Sequence, residues 1–273
     1  MIPAAFDYCR AATIEEAVGL LDEHGEDAKL LAGGHSLLPL MKLRLAAPAM
    51  VIDIGRVSGL SYVREDGDHL AIGALTRHRD LETNDVLARH APILAHVAGQ
   101  VGDPQVRHRG TIGGSIAHGD PASDLPATCL ALGATFVAVG PGGERSVPAG
   151  EFFRGFLETA LAFDEVLTEI RVPKVTGARW SFQKFNRRAQ DWAMVGVAAV
   201  RNGSTGIGLV NMGATPLRAS AVEAALASGA SAAEAAAHAS DGLDPPEDLN
   251  ASPEYRRHLA QVLVRRALEE AGA

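Results

Sequence analysis

Two stretches far apart in this 273-residue chain repeat one short pattern, Ala32-Gly33-Gly34-His35-Ser36 and Thr111-Ile112-Gly113-Gly114-Ser115. A glycine pair lets the backbone turn at positive φ and lets a ligand approach where a Cβ would obstruct it. Ala28 to Ala32 is a short, mostly apolar run, so the first pair reads as a buried strand entering a tight turn. A helical pattern through Leu37, Leu40, Met41 and Leu43 then opens at Ser36. Successive N–H groups at such a turn form an anion nest, and a helix starting at Ser36 adds its positive end. Two such loops could grip the two phosphates of one pyrophosphate without a lysine cluster. Either pair alone is equally an ordinary glycine turn, with Ser36 and Ser115 as cap or turn hydroxyls.

Elsewhere the chain alternates helical and extended patterns up to about residue 160. Thr13-Ile14-Glu15-Glu16 has the form of a capping box before Ala17, Val18 and Leu21. Val51 to Ile54 reads as a strand, and Asp66-Gly67-Asp68 as the turn of a hairpin. Thr76 is expected to cap a helix through Leu81, Ile93 to Val101 gives another, and Asp124 to Leu132 a third before a strand from Thr135 to Val139. After Glu165 come three or four strand-like runs (166–172, 180–185, 194–200 and 207–212). Helices are then expected at 217–228, 231–239 and 252–271. A block of strands followed by a block of helices predicts a separate α+β unit, with the boundary near 164–178. The Ala-rich Ser231 to Ser240 segment reads as a solvated helix.

Composition narrows the functional classes. At about 150 residues per domain the length predicts one large domain or two modest ones, and 47% apolar with 21% charged residues is ordinary globular composition. The formal charge of −8 disfavours general nucleic-acid binding. Cys9 and Cys129 fit no C-x-x-C pattern, so no iron–sulfur cluster or four-thiolate zinc site is expected on this chain. The sequence lacks G-x-G-x-x-G, G-x-x-x-x-G-K-[ST], H-E-x-x-H and G-x-S-x-G. No export signal and no run of about 20 apolar residues is visible, which predicts a cytoplasmic protein without a membrane span.

Four segments in matching order carry a family resemblance: AGGHSLLPLMKLRL (32–45), IGALTRH (72–78), QVRHRGTIGGSIAHGDPASDLP (105–126) and KFNRRAQDWAMVGVA (184–198). Together they resemble the FAD-binding medium subunit of molybdenum hydroxylases of the carbon monoxide dehydrogenase and xanthine dehydrogenase type. The likeness runs essentially end to end. It implies an α+β fold: a two-lobed FAD-binding domain like that of p-cresol methylhydroxylase and vanillyl-alcohol oxidase (1–170), then a small C-terminal domain with a three-stranded antiparallel sheet and helices (175–273). FAD is expected between the lobes. The molybdenum cofactor is expected on a large partner subunit and the iron–sulfur clusters on a small one, in a dimer of heterotrimers.

Residue by residue, the resemblance implies that Ala32, Gly33, Gly34, His35 and Ser36 form one pyrophosphate loop, with Lys29, Leu30 and Leu31 leading into it. Thr111, Ile112, Gly113, Gly114 and Ser115 form the other. Asp124 matches a carboxylate that holds a polyol hydroxyl of the cofactor, although its position also suits a helix N-cap. Val101 and Leu167 match positions at the adenine end, and both also suit a core. Lys184 matches a basic residue near the flavin ring. Asp191 and Trp192 match the segment beside that ring, where relatives often carry Tyr; Trp keeps a stacking face without a hydroxyl, and a core tryptophan fits as well. No side chain stands out as a general acid or base. A self-sufficient FAD oxidoreductase of a small substrate, or a non-catalytic nucleotide-binding module, would use the same loops.

Overall fold

The computed structural model describes residues 2–273. The first lobe is a three-stranded parallel sheet of β1 (Asp7–Arg10), β2 (Ala28–Leu31) and β3 (Met50–Asp53), in the order β1-β3-β2. Helices α1 (Ile14–His24) and α2 (Leu37–Leu43) make the crossovers. The Thr13 side chain accepts from the Glu16 amide as a capping box requires, but the Glu16 carboxylate reaches past Thr13 to the Ala12 amide. Ala17, Val18 and Leu21 of α1 are buried against Ile52 and Ile54.

The second lobe is a five-stranded antiparallel sheet, ordered β4-β5-β10-β6-β7. Its strands are β4 (Val63–Asp66), β5 (His69–Gly73), β6 (Thr135–Gly140), β7 (Gly143–Pro148) and β10 (Val166–Pro173), with a small hairpin of β8 (Phe153–Gly155) and β9 (Glu158–Thr159) beside it. Between β5 and β6 the chain inserts α3 (His78–Glu82), α4 (Asp85–His90), α5 (Pro92–Gly99), α6 (Pro104–Arg109), α7 (Ile112–His118) and α8 (Asp124–Leu132). The short α9 (Ala149–Phe152) follows β7. Thr76 does not cap α3. Its hydroxyl is bonded to the Tyr62 backbone, which ties the insertion to the strand pair, and α3 begins after Arg77.

The C-terminal unit corrects one expectation. Its antiparallel sheet has four strands, β11 (Arg179–Phe185), β12 (Val195–Asn202), β13 (Ser204–Val210) and the two-residue β14 (Leu217–Arg218), in sequential order. β14 takes the residues expected to begin the helix that follows. Helices α10 (Ser220–Ala227), α11 (Ala232–Ala236) and α12 (Pro253–Glu270) cover one face. The Ala-rich segment is not solvated on all sides: Ala232, Ala235, Ala236 and Ala239 are buried in a core with Leu259, Leu263, Val264 and Leu268 of α12. Small side chains let the two helices approach closely, so a run with little hydrophobic contrast still has an inward face.

The sheet is buried on both sides, which explains the unbroken apolar run Val195 to Val200. Val197, Ala199, Ile207 and Leu209 face the C-terminal helices, while Ala198 and Val200 join the core of the second lobe. On that inner face Gly206 and Gly208 lie against α8. A Cβ at Gly208 would overlap the Ala127 carbonyl oxygen, and one at Gly206 the Ala131 carbonyl oxygen. The two carbonyls are four residues, about one helical turn, apart. This bare stripe lets α8 sit directly on the sheet and fixes where its first residue, Asp124, stands.

Candidate cofactor-binding site

The two glycine pairs lie at one place in the fold. A Cβ on Gly33 would overlap the Arg109 carbonyl oxygen and come within 2.9 Å of the Gly110 Cα, so the first loop rests on the backbone that enters the second. Gly34 sits at φ +80°, a conformation that L side chains rarely adopt. An antiparallel bridge between Arg77 and Thr111 holds the second stretch from the other side.

What the two stretches offer differs. Among the described residues, the amides of Gly33, Gly34, His35 and Ser36 meet no hydrogen-bond acceptor. Ser36 stands at the α2 N-cap with its hydroxyl free of the helix backbone. This is an open nest of donors. The second stretch opens α7, and from Ile112 on its amides are already bonded: Ile112 to the Thr76 carbonyl (3.1 Å), Gly113 to the Ala74 carbonyl (2.9 Å), Gly114 to Thr111 Oγ1 (3.1 Å) and Ser115 to the Thr111 carbonyl (3.1 Å). The expectation of two nests of free amides is therefore corrected to one nest facing a helical turn whose Ile112–Ser115 amides are taken. That turn still exposes Gly114 and leaves Ser115 half-buried.

Asp124 opens α8, but Ser123 holds the N-cap position and the Asp124 side chain does no capping. It turns instead to Lys184, which reaches across from β11: Lys184 Nζ donates to Asp124 Oδ2 at 2.6 Å and to the Gln100 carbonyl at 2.9 Å. Both side chains are under a tenth exposed. Burial pushes the Asp124 carboxyl up, and Lys184 opposes that shift. The second oxygen, Oδ1, is buried without a partner. An orphaned carboxylate oxygen of this kind is costly unless something donates to it. Lys184, expected as a free positive charge near a flavin ring, is here committed to holding Asp124, and the pair is neutral as a unit.

The remaining expected residues fall into two groups. Val101 follows Gln100 and is partly buried against the second-lobe core, and Leu167 is 5% exposed within that core. Lys29 is exposed on β2, with Leu30 and Leu31 half-buried as the strand enters the loop. Asp191 and Trp192 lie in the loop after β11. Asp191 pairs with Arg188 at 3.0 Å, and Trp192 is 59% exposed, which removes the reading of a core tryptophan. Sequence reasoning missed His78, which lies under the second loop with Nε2 3.3 Å from Ser115 Oγ. Its place in IGALTRH was the available signal. Among the described residues no group of three or more His, Cys, Asp and Glu side chains could hold a metal ion, and no helix is long and apolar enough to cross a membrane.

A nest of free amides and a buried, unpaired carboxylate oxygen in one fold suit a ligand with an anionic part and hydroxyl groups, as a dinucleotide has. The two lobes, the glycine loops and the sheet packed on α8 define the flavin-binding subunit class. The family comparison agrees. Residues 4–175 match the FAD binding domain in molybdopterin dehydrogenase, and residues 180–271 match the CO dehydrogenase flavoprotein C-terminal domain. The chain is 44% identical to the carbon monoxide dehydrogenase medium chain of Hydrogenophaga pseudoflava, over 100% of this chain and 99% of that protein. It superposes on a chain of carbon monoxide dehydrogenase from the same organism, in a form lacking the Mo-pyranopterin moiety, with TM-score 0.96 and 46% identity over 99% and 98% of the two chains. Against quinoline 2-oxidoreductase of Pseudomonas putida 86 the TM-score is 0.91 at 33% identity, over 99% and 98%. The chain belongs to the FAD-binding medium subunits of the molybdenum hydroxylases.

Proposed function

We propose that this chain carries the FAD of a cytoplasmic molybdenum hydroxylase built as a dimer of heterotrimers, with a large molybdenum-cofactor subunit and a small iron–sulfur subunit. The observation that carries the reading is the run of four unpartnered amides, Gly33 to Ser36, packed against the entrance to the second glycine pair. Bound there, FAD would supply the relay between one-electron clusters on a partner and an external acceptor.

The chain's own residues then have separate tasks. The amides of Gly33 to Ser36 donate to the diphosphate, helped by the Ser36 and Ser115 hydroxyls, and His35 stands exposed at the rim. Asp124 Oδ1 accepts from a polyol hydroxyl, and Lys184 opposes the effect of burial on that carboxyl and orients it while bridging the first unit (1–170) to the second (175–273). Leu167 and Val101 supply apolar surface for the adenine end. Trp192, held by a loop that the Asp191–Arg188 pair stiffens, supplies an exposed aromatic face for the ring end. No residue need move a proton to or from the oxidised substrate. Relatives of similar fold serve complexes named for substrates as different as carbon monoxide and quinoline, so substrate choice belongs to the partner.

The test is to purify the chain with its native partners and to measure FAD, molybdenum and iron together. The expected result is one FAD per copy of this chain, with molybdenum and iron lost when the partners are stripped away. Yellow cofactor remaining on a different polypeptide would end the reading.

A further inference from the structure

We propose that His78 is a positioning residue that aims the Ser115 hydroxyl at the bound diphosphate, a role that rests on the FAD reading above. His78 is 3% exposed and opens α3, with its amide bonded to the Gly110 carbonyl at 3.0 Å. Its ring is packed against Gly110, where a Cβ would lie 2.7 Å from Cδ2 and 2.8 Å from Nε2. The ring therefore cannot swing toward Gly110, and residue 110 must stay bare for it to sit there.

The ring's partners assign its tautomer. Nε2 is 3.3 Å from Ser115 Oγ, and Nδ1 is buried with no partner. A proton on Nδ1 would leave a buried N–H with nothing to receive it, the costlier arrangement. With the proton on Nε2, the ring donates to Ser115 Oγ and the orphan is a lone pair. Burial, reinforced by the neighbouring His35, Arg77 and Arg107, pushes the imidazole down to about 4, so it stays neutral at working pH. Ser115 Oγ then accepts from the ring, and its own proton must point away from it. The Ser115 amide is already bonded to the Thr111 carbonyl, so the hydroxyl is the free donor at this residue. Half-buried beside exposed Gly114, it supplies the directed donor that the bonded amides of Ile112 to Ser115 do not.

The test is a double-mutant cycle in the full-length chain, titrated with FAD, with the ³¹P spectrum of the bound diphosphate as a second readout. Ser115→Ala and His78→Met should each weaken FAD binding about ten- to hundredfold, the range for a hydrogen bond to a charged group. The double variant should lose little more than either alone. His78→Gln, which returns a side-chain N–H, should recover most of the affinity and the parental ³¹P shifts. If His78→Met does not fold, His78→Asn closes the cycle, since its shorter side chain falls short of Ser115. Additive losses, an unaffected Ser115→Ala, or a His78→Gln as weak as His78→Met would overturn the assignment while leaving the FAD site standing. A parental chain that binds no FAD would remove both.

Discussion

The two glycine pairs look alike as text and differ as structure. Around Gly33 and Gly34 no described residue accepts from the amides. Around Gly113 and Gly114 the carbonyls of Ala74, Thr76 and Thr111 and the hydroxyl of Thr111 take the four amides from Ile112 to Ser115. The difference lies in what stands opposite: the first pair leaves a parallel sheet at its edge, while the second is pressed against the end of β5. A glycine pair therefore marks a place where backbones come close, and the unpaired donors say whether a ligand is the third party. By that criterion the open groups are the Gly33–Ser36 amides, the Ser115 hydroxyl and Asp124 Oδ1, and the closed ones are the Ile112–Ser115 amides of the second loop. Substitutions at closed groups should cost stability, and those at open groups should cost cofactor.

The Asp124–Lys184 pair lies on both sides of that division, and breaking it should give the largest effect. Lys184→Met leaves a buried carboxylate with two unpaired oxygens, and stripping one partner from a buried pair costs about 3–5 kcal/mol. The deficit should depend on pH in a definite sense. Burial already holds the Asp124 carboxyl above its ordinary value in the folded state, and removing Lys184 raises it further. A folded value above the unfolded one, about 3.9, means that stability is gained as pH falls through the folded value. Urea midpoints of variant and parent should differ most at high pH and converge as pH falls toward the unfolded value, about 3.9. A constant gap across that range would mean that Lys184 acts through packing alone.

The glycine comparison itself is tested next. A Cβ on Gly113 would sit 2.5 Å from the Ala74 Cβ and 2.6 Å from its carbonyl oxygen, inside a closed core. Gly113→Ala should therefore lower unfolding stability by about 1–3 kcal/mol, while any FAD that binds the folded fraction should do so with near-parental affinity. Gly33→Ala presses on the backbone of Arg109 and Gly110 at a half-open loop. It should cost stability too, because the clash is with backbone, but unlike Gly113→Ala it should also weaken FAD binding to the folded fraction by about tenfold or more. Thermal melts and FAD titrations of the two variants check this, and the reverse ordering would dissolve the distinction between open and closed pairs.

What could be read from the sequence follows the same division between local and tertiary causes. The helix Asp124–Leu132 was legible to the residue, because its apolar content, its following glycine and its following strand all agree locally. The strand β7 (GERSVP) was not, being polar and mostly exposed at a sheet edge, where pairing with β6 alone makes it a strand. Helix α6 was missed although Asp103-Pro104 is a good start signal, with Asp103 capping the Val106 amide. The fourth strand β14 is two residues long and exists through its pairing with β13. At the site, the loops and Asp124 were visible as patterns. The seat of Gly33 on Arg109, the capture of Lys184 by Asp124 and the place of His78 are contacts between distant segments, which no local spacing encodes.

The smallest expected effect is at Trp192, where the comparison is with buried Asp124. At 59% exposure its ring has little to lose on truncation in the free protein, so Trp192→Ala should change stability by less than about 0.5 kcal/mol. If the exposed indole serves as a face for the flavin ring, its removal should instead show in the cofactor: bound-flavin fluorescence should rise as a stacked electron-rich quencher is lost, and Trp192→Tyr should restore much of the quenching because stacking needs a face rather than a particular hydrogen bond. Fluorescence of FAD-loaded parent, Ala and Tyr variants, measured beside their melting curves, separates the two outcomes. An unchanged flavin signal with an unchanged melt would place Trp192 outside the site, and would leave the open amides and Asp124 as its described landmarks.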